Sequence, residues 1–170
     1  MKQVKLLRQI SSEFSSFASS PVAKPTRLII GDLIEEVLSP YRIGLEDRVQ
    51  LKTSVPIEPI FVMADPNLLG RAITNIIENA LQAMPNQGSL SISIKTQEDS
   101  ALIITDDTGI GMDSNELERV FEPYFSTKTS GTGLGLTIAR RNIELNRGTV
   151  SVASEKGQGT TVTFFLPIEK

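Results

Sequence analysis

The sequence predicts an α/β chain, and three observations carry that prediction. Apolar residues recur at three- and four-residue spacing in some stretches and alternate or run continuously in others, so helix and strand patterns interleave along the chain. Proline and glycine clusters mark the boundaries between them. Two glycine-rich turns, Asp107-Thr108-Gly109-Ile110-Gly111 and Gly131-Thr132-Gly133-Leu134-Gly135-Leu136, flank a polar loop; the first follows a strand and the second opens a helix.

Residues 1–19 read as a helix, with Val4, Leu7, Ile10, Phe14, Phe17 and Ala18 on one stripe and Pro21 and Pro25 ending it. Its two phenylalanines need a partner, either their own domain or a second copy in an intermolecular bundle. A short strand fits residues 26–30. A helix fits Asp32 to Tyr41, with Leu33, Ile34, Val37 and Leu38 inward. Val49 to Ser54 and Ile60 to Ala64 are strands separated by Pro56 and Pro59. Asp65-Pro66 starts the next helix, an N-cap acid followed by proline at the first helical position. It runs to Met84 and stops before Pro85-Asn86-Gln87-Gly88. At about 100° per residue, Leu69, Ile73, Ile76, Ile77, Ala80 and Met84 form its core face. Asn75 and Asn79 lie one turn apart on a second stripe beside the small residues Ala72 and Ala83. Asparagine is a mediocre helix former, so the two amides are either solvated and locally bonded or face something polar.

Ser89 to Thr96 alternates, with Leu90, Ile92 and Ile94 on one face; Ala101 to Thr105 is a continuous apolar strand that delivers Asp106 and Asp107. Together they make an antiparallel hairpin. Asp113 and Glu116 form a capping-box pattern for a short helix through Leu117 and Val120. Phe121-Glu122-Pro123-Tyr124-Phe125-Ser126-Thr127-Lys128 follows, a concentration of rings in a chain only 5% aromatic. This is either a loop pinned to the core by its rings or a mobile lid with an aromatic hinge and a lysine for phosphate. Gly133 to Asn146 is a helix with Leu136, Ile138, Ala139 and Ile143 inward, closed by Gly148. Thr149 to Ser154 and Thr160 to Leu166 are the last strands, joined by Glu155-Lys156-Gly157-Gln158-Gly159.

Composition narrows the function. A chain of 170 residues, 39% hydrophobic, holds one ordinary domain and an appendage. A net charge of -3 gives no electrostatic case for nucleic acid or an anionic membrane. The lack of cysteine excludes disulfides and thiolate metal sites and fits a reducing, cytoplasmic compartment. No apolar run approaches the roughly 20 residues that span a bilayer, and no signal peptide is visible. The lack of histidine removes the usual general base, the usual metal ligand and any phosphohistidine from this chain.

The glycine turns point to a ligand. Glycine lets backbone approach a ligand closely and adopt positive φ. Free N–H groups at a helix start, reinforced by its dipole, bind phosphate. Asp107, at a strand end, is placed to accept a hydrogen bond from a flat, polar group. Together these features suggest a nucleotide held between the two turns. No Gly-x-x-x-x-Gly-Lys-Ser/Thr occurs, so the chain is not a P-loop protein.

The asparagine helix, the Asp-x-Gly-x-Gly turn, the Phe-Glu-Pro-Tyr-Phe box, the Gly-Thr-Gly-Leu-Gly-Leu box and the closing Gly-Gln-Gly-Thr-Thr turn occur in a fixed order. That order resembles the ATP-binding catalytic domain of bacterial sensor histidine kinases, part of a wider group with gyrase, mismatch-repair and chaperone ATPases. The resemblance covers about residues 26–168. The Phe-Ser-Thr-Lys ending of the aromatic box is most similar to the nitrogen-regulation type. Residues 1–24 look like the end of the second helix of that kinase's dimerisation domain plus a linker, leaving 25–170 as the catalytic domain.

The resemblance implies a two-layer α/β sandwich of the Bergerat type, a mixed sheet with helices on one face and ATP under a mobile lid. It also implies roles. Asp107 would accept from the adenine amino group, with Thr161 nearby through water. Asn79 would hold Mg²⁺ by its side-chain oxygen, assisted by Asn75. Gly109 and Gly111 would let the chain pass close to the base, with Ala83 and Met112 also at the nucleotide. Lys128, beside Thr127, would meet the terminal phosphates, and Gly131, Thr132, Gly133, Leu134, Gly135 and Leu136 would cradle them. Phe125 would anchor the lid. The implied partners are ATP or ADP, the histidine-bearing dimerisation domain of the same kinase and a response regulator, with no nucleic acid. The full kinase would be a homodimer and this chain alone a monomer or weak dimer.

Two departures from the family carry information. The hydrolysing relatives place a glutamate one turn before the metal asparagine; here that place is Asn75, which cannot take a proton. Glu78 is about 100° round the helix from Asn79 and is expected to point elsewhere. Slow hydrolysis is therefore expected, with transfer as the reaction. The acceptor histidine is missing, so the chain is expected to be a fragment that binds ATP without labelling itself. The alternatives are a serine kinase that switches an anti-sigma factor and a non-catalytic nucleotide-binding module.

Overall fold

The computed structural model describes residues 21–45, 48–126 and 131–169. The helix expected over residues 1–19 lies outside the described residues, as do Thr127 and Lys128. The elements are β1 (Thr26–Ile29), α1 (Ile30–Arg42), β2 (Val49–Ser54), β3 (Phe61–Ala64), α2 (Pro66–Ala83), β4 (Gly88–Gln97), β5 (Ser100–Asp107), α3 (Ser114–Glu118), α4 (Gly135–Leu145), β6 (Thr149–Glu155) and β7 (Gly159–Pro167).

Five strands form a mixed sheet in the order β2-β4-β5-β7-β6. β2 runs parallel to β4, and the other neighbours are antiparallel. Strands β1 and β3 pair antiparallel in a small separate sheet. Cross-strand register puts Ile94, Ile103, Phe164 and Val150 in one row, and Ile92, Thr105, Val162 and Val152 in the next. These rows face the helices and build the core with Ile34 and Leu38 of α1, Leu69, Ile73, Ile76 and Ile77 of α2, and Ala139 and Ile143 of α4. The opposite face, with Ser91, Ser93 and Thr163, is only partly buried. This is the two-layer architecture expected from the sequence.

Helix α2 starts as predicted. Asp65 is its N-cap, with Oδ1 accepting from the N–H groups of Asn67 and Leu68, and Pro66 opens the helix. Oδ2 accepts the backbone N–H of Lys24 at 2.8 Å, which ties residues 21–25 to this helix start. Burial pushes the Asp65 carboxyl up, but the backbone donors of Lys24, Leu68 and Asn67 outweigh it and hold the group below its ordinary value. Its ionised form therefore stabilises the fold above the ordinary carboxylate pKa, and that contribution fades as pH falls through the depressed value. Asp65→Ala is expected to cost about 1–2 kcal/mol at neutral pH. The gap between wild type and variant should narrow below about pH 4; urea denaturation of both proteins across that range checks it.

Several boundaries differ from expectation, among them α3, which stops at Glu118 short of Val120. Helix α1 begins at Ile30, capped by Ile29 without a side-chain bond; Asp32 sits inside the first turn, where its charge meets the positive helix end. Helix α4 begins at Gly135 rather than Gly133, because Gly133 takes a left-handed φ of 69° that helix geometry excludes. At its other end Arg147, not Gly148, takes the left-handed turn, with φ 60°. Gly148 is required for space instead, since a Cβ there would lie 2.5 Å from the Phe165 carbonyl oxygen. The Asp113–Glu116 capping box forms in full.

Candidate functional site

Helices α2 and α4 lie side by side in opposite senses. The start of α2 meets the end of α4 through Asp65 and Asn146, and Asn79 near the end of α2 meets Gly135 at the start of α4. A cleft opens at this second end, between the two helices and the ends of β5 and β7. Its empty space is about 1130 Å³, open mouth included.

Asp107 closes one end of the cleft. It is the last residue of β5 and is 7% exposed. Its Oδ1 accepts the Gly109 N–H at 2.8 Å, which folds the chain back over the strand end. The turn is stitched down further: Thr108 N–H donates to Ser89 O, Ile110 N–H to Ala83 O, and Gly157 N–H to Ile110 O at 2.7 Å. Gly111 adopts a left-handed φ of 61°, packed against the backbone of Glu155 and Gly159. The crowding at Gly109 also comes from protein. A Cβ there would lie 2.7 Å from both Ala83 Cβ and Asp107 Oδ1.

The polar stripe of α2 closes the other end. Asn75, Asn79 and Ala83 line the cleft, whereas Ala72 is fully buried in the core. The Asn79 amide stands against the glycine box, 3.3 Å from where a Gly135 Cβ would be. Gly131, Thr132, Gly133, Gly135 and Leu136 line this end. The aromatic box docks onto α4. Tyr124 N–H donates to Gly133 O at 3.0 Å, Thr137 Oγ1 donates to Phe121 O at 3.1 Å, and the Arg140 guanidinium lies over the Phe121 ring. Phe125 lines the cleft with the Arg119 guanidinium 4.3 Å from its centroid.

Most of the residues singled out in the sequence thus meet in one place: Asn75, Asn79, Ala83, Asp107, Gly111, Met112, Phe125 and the glycine box. Three do not line it. Leu134 is buried. Gly109 is buried against Ala83 and Asp107. Thr161 is on the wrong side of the sheet: its Oγ1 bonds Asp106 Oδ1 at 2.6 Å, because Asp106 and Thr161 are cross-strand partners facing away from the helices. The residue paired with Asp107 is Thr160, and it lines the cleft with Val162. The period of two along a strand makes the one-residue step decisive.

Glu78 is also corrected. It is exposed and lines the rim of the cleft rather than pointing away from it. Tyr41 of α1 feels it: the hydroxyl is pushed above its ordinary value by burial first and by the Glu78 carboxylate second. Sequence reasoning missed Ile76, Ala80 and Gln82 on the α2 side, together with Ile110, Val120 and Ser126. Gln82 was findable, since it stands one turn beyond Glu78 on the same helix.

Among the described residues no group of three or more histidine, cysteine, aspartate or glutamate side chains could hold a metal ion, and no helix is long and apolar enough to cross a membrane. A cation here would need other oxygens.

Comparison with known proteins agrees with this geometry. Residues 64–170 match the family described as histidine kinase-, DNA gyrase B- and HSP90-like ATPase. Sporulation kinase E of Bacillus subtilis is 39% identical over 72% of this chain and 16% of its own length. The signal transduction histidine-protein kinase AtoS of Escherichia coli is 32% identical over 99% of this chain and 28% of its own. The chain thus spans well under a third of these relatives. The solved mycobacterial sensor histidine kinase MprB superposes with a TM-score of 0.76 at 25% identity, covering 86% of this chain and 99% of that one. The catalytic domain of histidine kinase ThkA gives 0.77 at 25% identity, covering 85% and 95%. With its mixed sheet, its cleft between paired helices and a family match over most of its length, the chain belongs to the histidine kinase-, DNA gyrase B- and HSP90-like ATPase family.

Proposed function

We propose that the chain binds Mg²⁺-ATP in this cleft and passes the γ-phosphoryl group to a histidine on a separate segment, as the catalytic domain of a sensor kinase in two-component signalling. One observation carries the reading. A buried carboxylate at one end of the cleft stands opposite the Asn75 and Asn79 amides and the glycine box at the other, so the two glycine-rich sequence elements share one cleft.

Asp107 holds the base by accepting from its amino group. Thr160, not Thr161, is the hydroxyl on the same wall. Thr132 and the amides around Gly133 and Gly135 hold the phosphates, and Lys128, two residues beyond cleft-lining Ser126, meets their far end. Asn79, with Asn75 one turn earlier, supplies amide oxygens for Mg²⁺. The donor set fits a hard cation that takes few protein oxygens and completes its shell from phosphates and water. Mg²⁺ when bound neutralises phosphate charge and orients the phosphates for in-line transfer.

The position one turn before Asn79 carries no carboxylate, and the Glu78 carboxylate is at the rim beside Tyr41. That arrangement leaves water without a base at the phosphates and favours transfer. The sequence contains no histidine, so the acceptor is on another segment. Residues 1–24 belong to the dimerisation segment and its linker, and 25–170 to the catalytic domain. One relative is a signal transduction histidine-protein kinase by name, which supports a role in signalling; a response regulator as the downstream partner and a cytoplasmic site of action belong to the same proposal. The Phe121–Lys128 box supports the nitrogen-regulation type.

Competition calorimetry tests the nucleotide half directly. Mg²⁺-ATP and Mg²⁺-ADP are expected to bind, and Mg²⁺-GTP to bind at least about tenfold more weakly, since its base offers a carbonyl where Asp107 needs a donor. Equal affinity for GTP would refute the assignment of Asp107.

A further inference from the structure

The cleft occupies one end of the α2/α4 pair. At the other end is a polar clasp that the nucleotide reading leaves unused. Asn146, the residue after α4, is 3% exposed. Its Oδ1 accepts the backbone N–H of Asp65 at 2.6 Å, and its Nδ2 donates to the Asn142 carbonyl at 2.8 Å. One amide therefore bonds both the cap of α2 and the last turn of α4. Next to it Asn142 is 4% exposed, and its Nδ2 makes no hydrogen bond among the described residues.

The clasp stands in a buried polar cluster that is not fully satisfied. The unpaired Nδ2 belongs to Asn142, where an apolar side chain of similar size would avoid the cost of burying it, whereas both polar atoms of Asn146 are bonded. Local rules are broken at this kind of price mainly where function requires it. What the clasp adds is direction. The contacts that Ile73, Ile76 and Ile77 share with Ala139 and Ile143 are apolar, and apolar packing is non-directional. A pair of short hydrogen bonds fixes the axial register instead. Both helices are rigid rods, so their register at Asn146 sets their register at the cleft. There the Asn79 amide and Gly135 stand nearly in contact. The Asp107 end follows the sheet and α2 rather than α4, because β5 is held between β4 and β7 and Ile110 N–H bonds Ala83 O.

We propose that Asn146 is a positioning residue for the phosphate end of the site: it sets the register of α4 on α2, and with it the spacing between the glycine box and Asn75 and Asn79. The proposal rests on the nucleotide reading of the cleft. It separates two ligands that share a base. Adenosine uses the Asp107 end alone, whereas Mg²⁺-ADP also spans the α2/α4 gap.

The test is the affinity of the 170-residue chain for both ligands in wild type, Asn146→Leu and Ile143→Val, with thermal midpoints alongside. Ile143 is fully buried one turn earlier and controls for simple loss of packing. Asn146→Leu is expected to weaken Mg²⁺-ADP about tenfold and leave adenosine unchanged, while Ile143→Val lowers the midpoint and leaves both affinities alone. Equal weakening of both ligands, no weakening of either, or the same split in Ile143→Val overturns the proposal. Asn146→Ala, which removes the same bonds without adding bulk, decides the matter if the leucine variant does not fold. Wild type binding neither ligand would refute the nucleotide reading itself, a result distinct from wild-type binding without the split.

Discussion

Asp107→Asn is expected to lower ATP affinity by about 100-fold while leaving the fold intact. The carboxylate is buried at the end of the cleft, and its Oδ1 accepts the Gly109 N–H. A hydrogen bond to a charged acceptor is worth about 1.5–3 kcal/mol. The asparagine keeps an oxygen for Gly109, so the turn survives. Its NH2 group then faces the amino group of the base, two donors with no acceptor between them, and the lost bond becomes an unfavourable contact. Titration calorimetry measures the loss, and circular dichroism checks that the sheet is retained. Unchanged affinity would remove Asp107 from the site.

The second large effect is expected at Asn79. Asn79→Asp places a negative charge beside Gly135, where the phosphates of the nucleotide are proposed to lie. It also removes the amide donor. Repulsion between carboxylate and polyphosphate in a partly desolvated cleft is worth more than it would be in water. Mg²⁺-ATP affinity should fall by about tenfold or more, and adenosine affinity should hold. Asn79 is half-buried at the cleft, on a helix whose core face is intact, so the thermal midpoint should move by only a few degrees. Equal losses for adenosine and Mg²⁺-ATP would show that Asn79 acts through the fold and not at the phosphates.

What could be read from the sequence was what depends on neighbours in the chain. Asp65 with Pro66 caps a helix by bonds to residues two and three positions on, and the cap formed as expected. The same holds for Asp113 and Glu116. The apolar stripe of α2, from Leu69 to Met84, is buried at every position predicted for it. The features that escaped depend on pairing across the chain. The parallel placement of β2 beside β4 follows no local pattern. Thr160 and Thr161 look alike as residues, and the register of β7 on β5 shows that Thr160 shares the face of Asp107. Alternation within Thr160 to Leu166, with Val162 and Phe164 inward, already carried that signal. The need for glycine at position 109 comes from Ala83, a residue 26 positions away on α2, and could not be seen from the turn alone. The clasp of Asn146 on Asp65 spans 81 residues and is equally hidden.

The central claim is that this cleft binds ATP for transfer rather than for hydrolysis. The most direct measurement mixes the purified chain with Mg²⁺ and γ-labelled ATP and follows bound nucleotide, released phosphate and protein-attached label together. The account predicts bound ATP, almost no free phosphate over many binding lifetimes and no label on a chain that has no histidine. Steady phosphate release would contradict it, and would show that a base other than a carboxylate at position 75 activates water in this cleft.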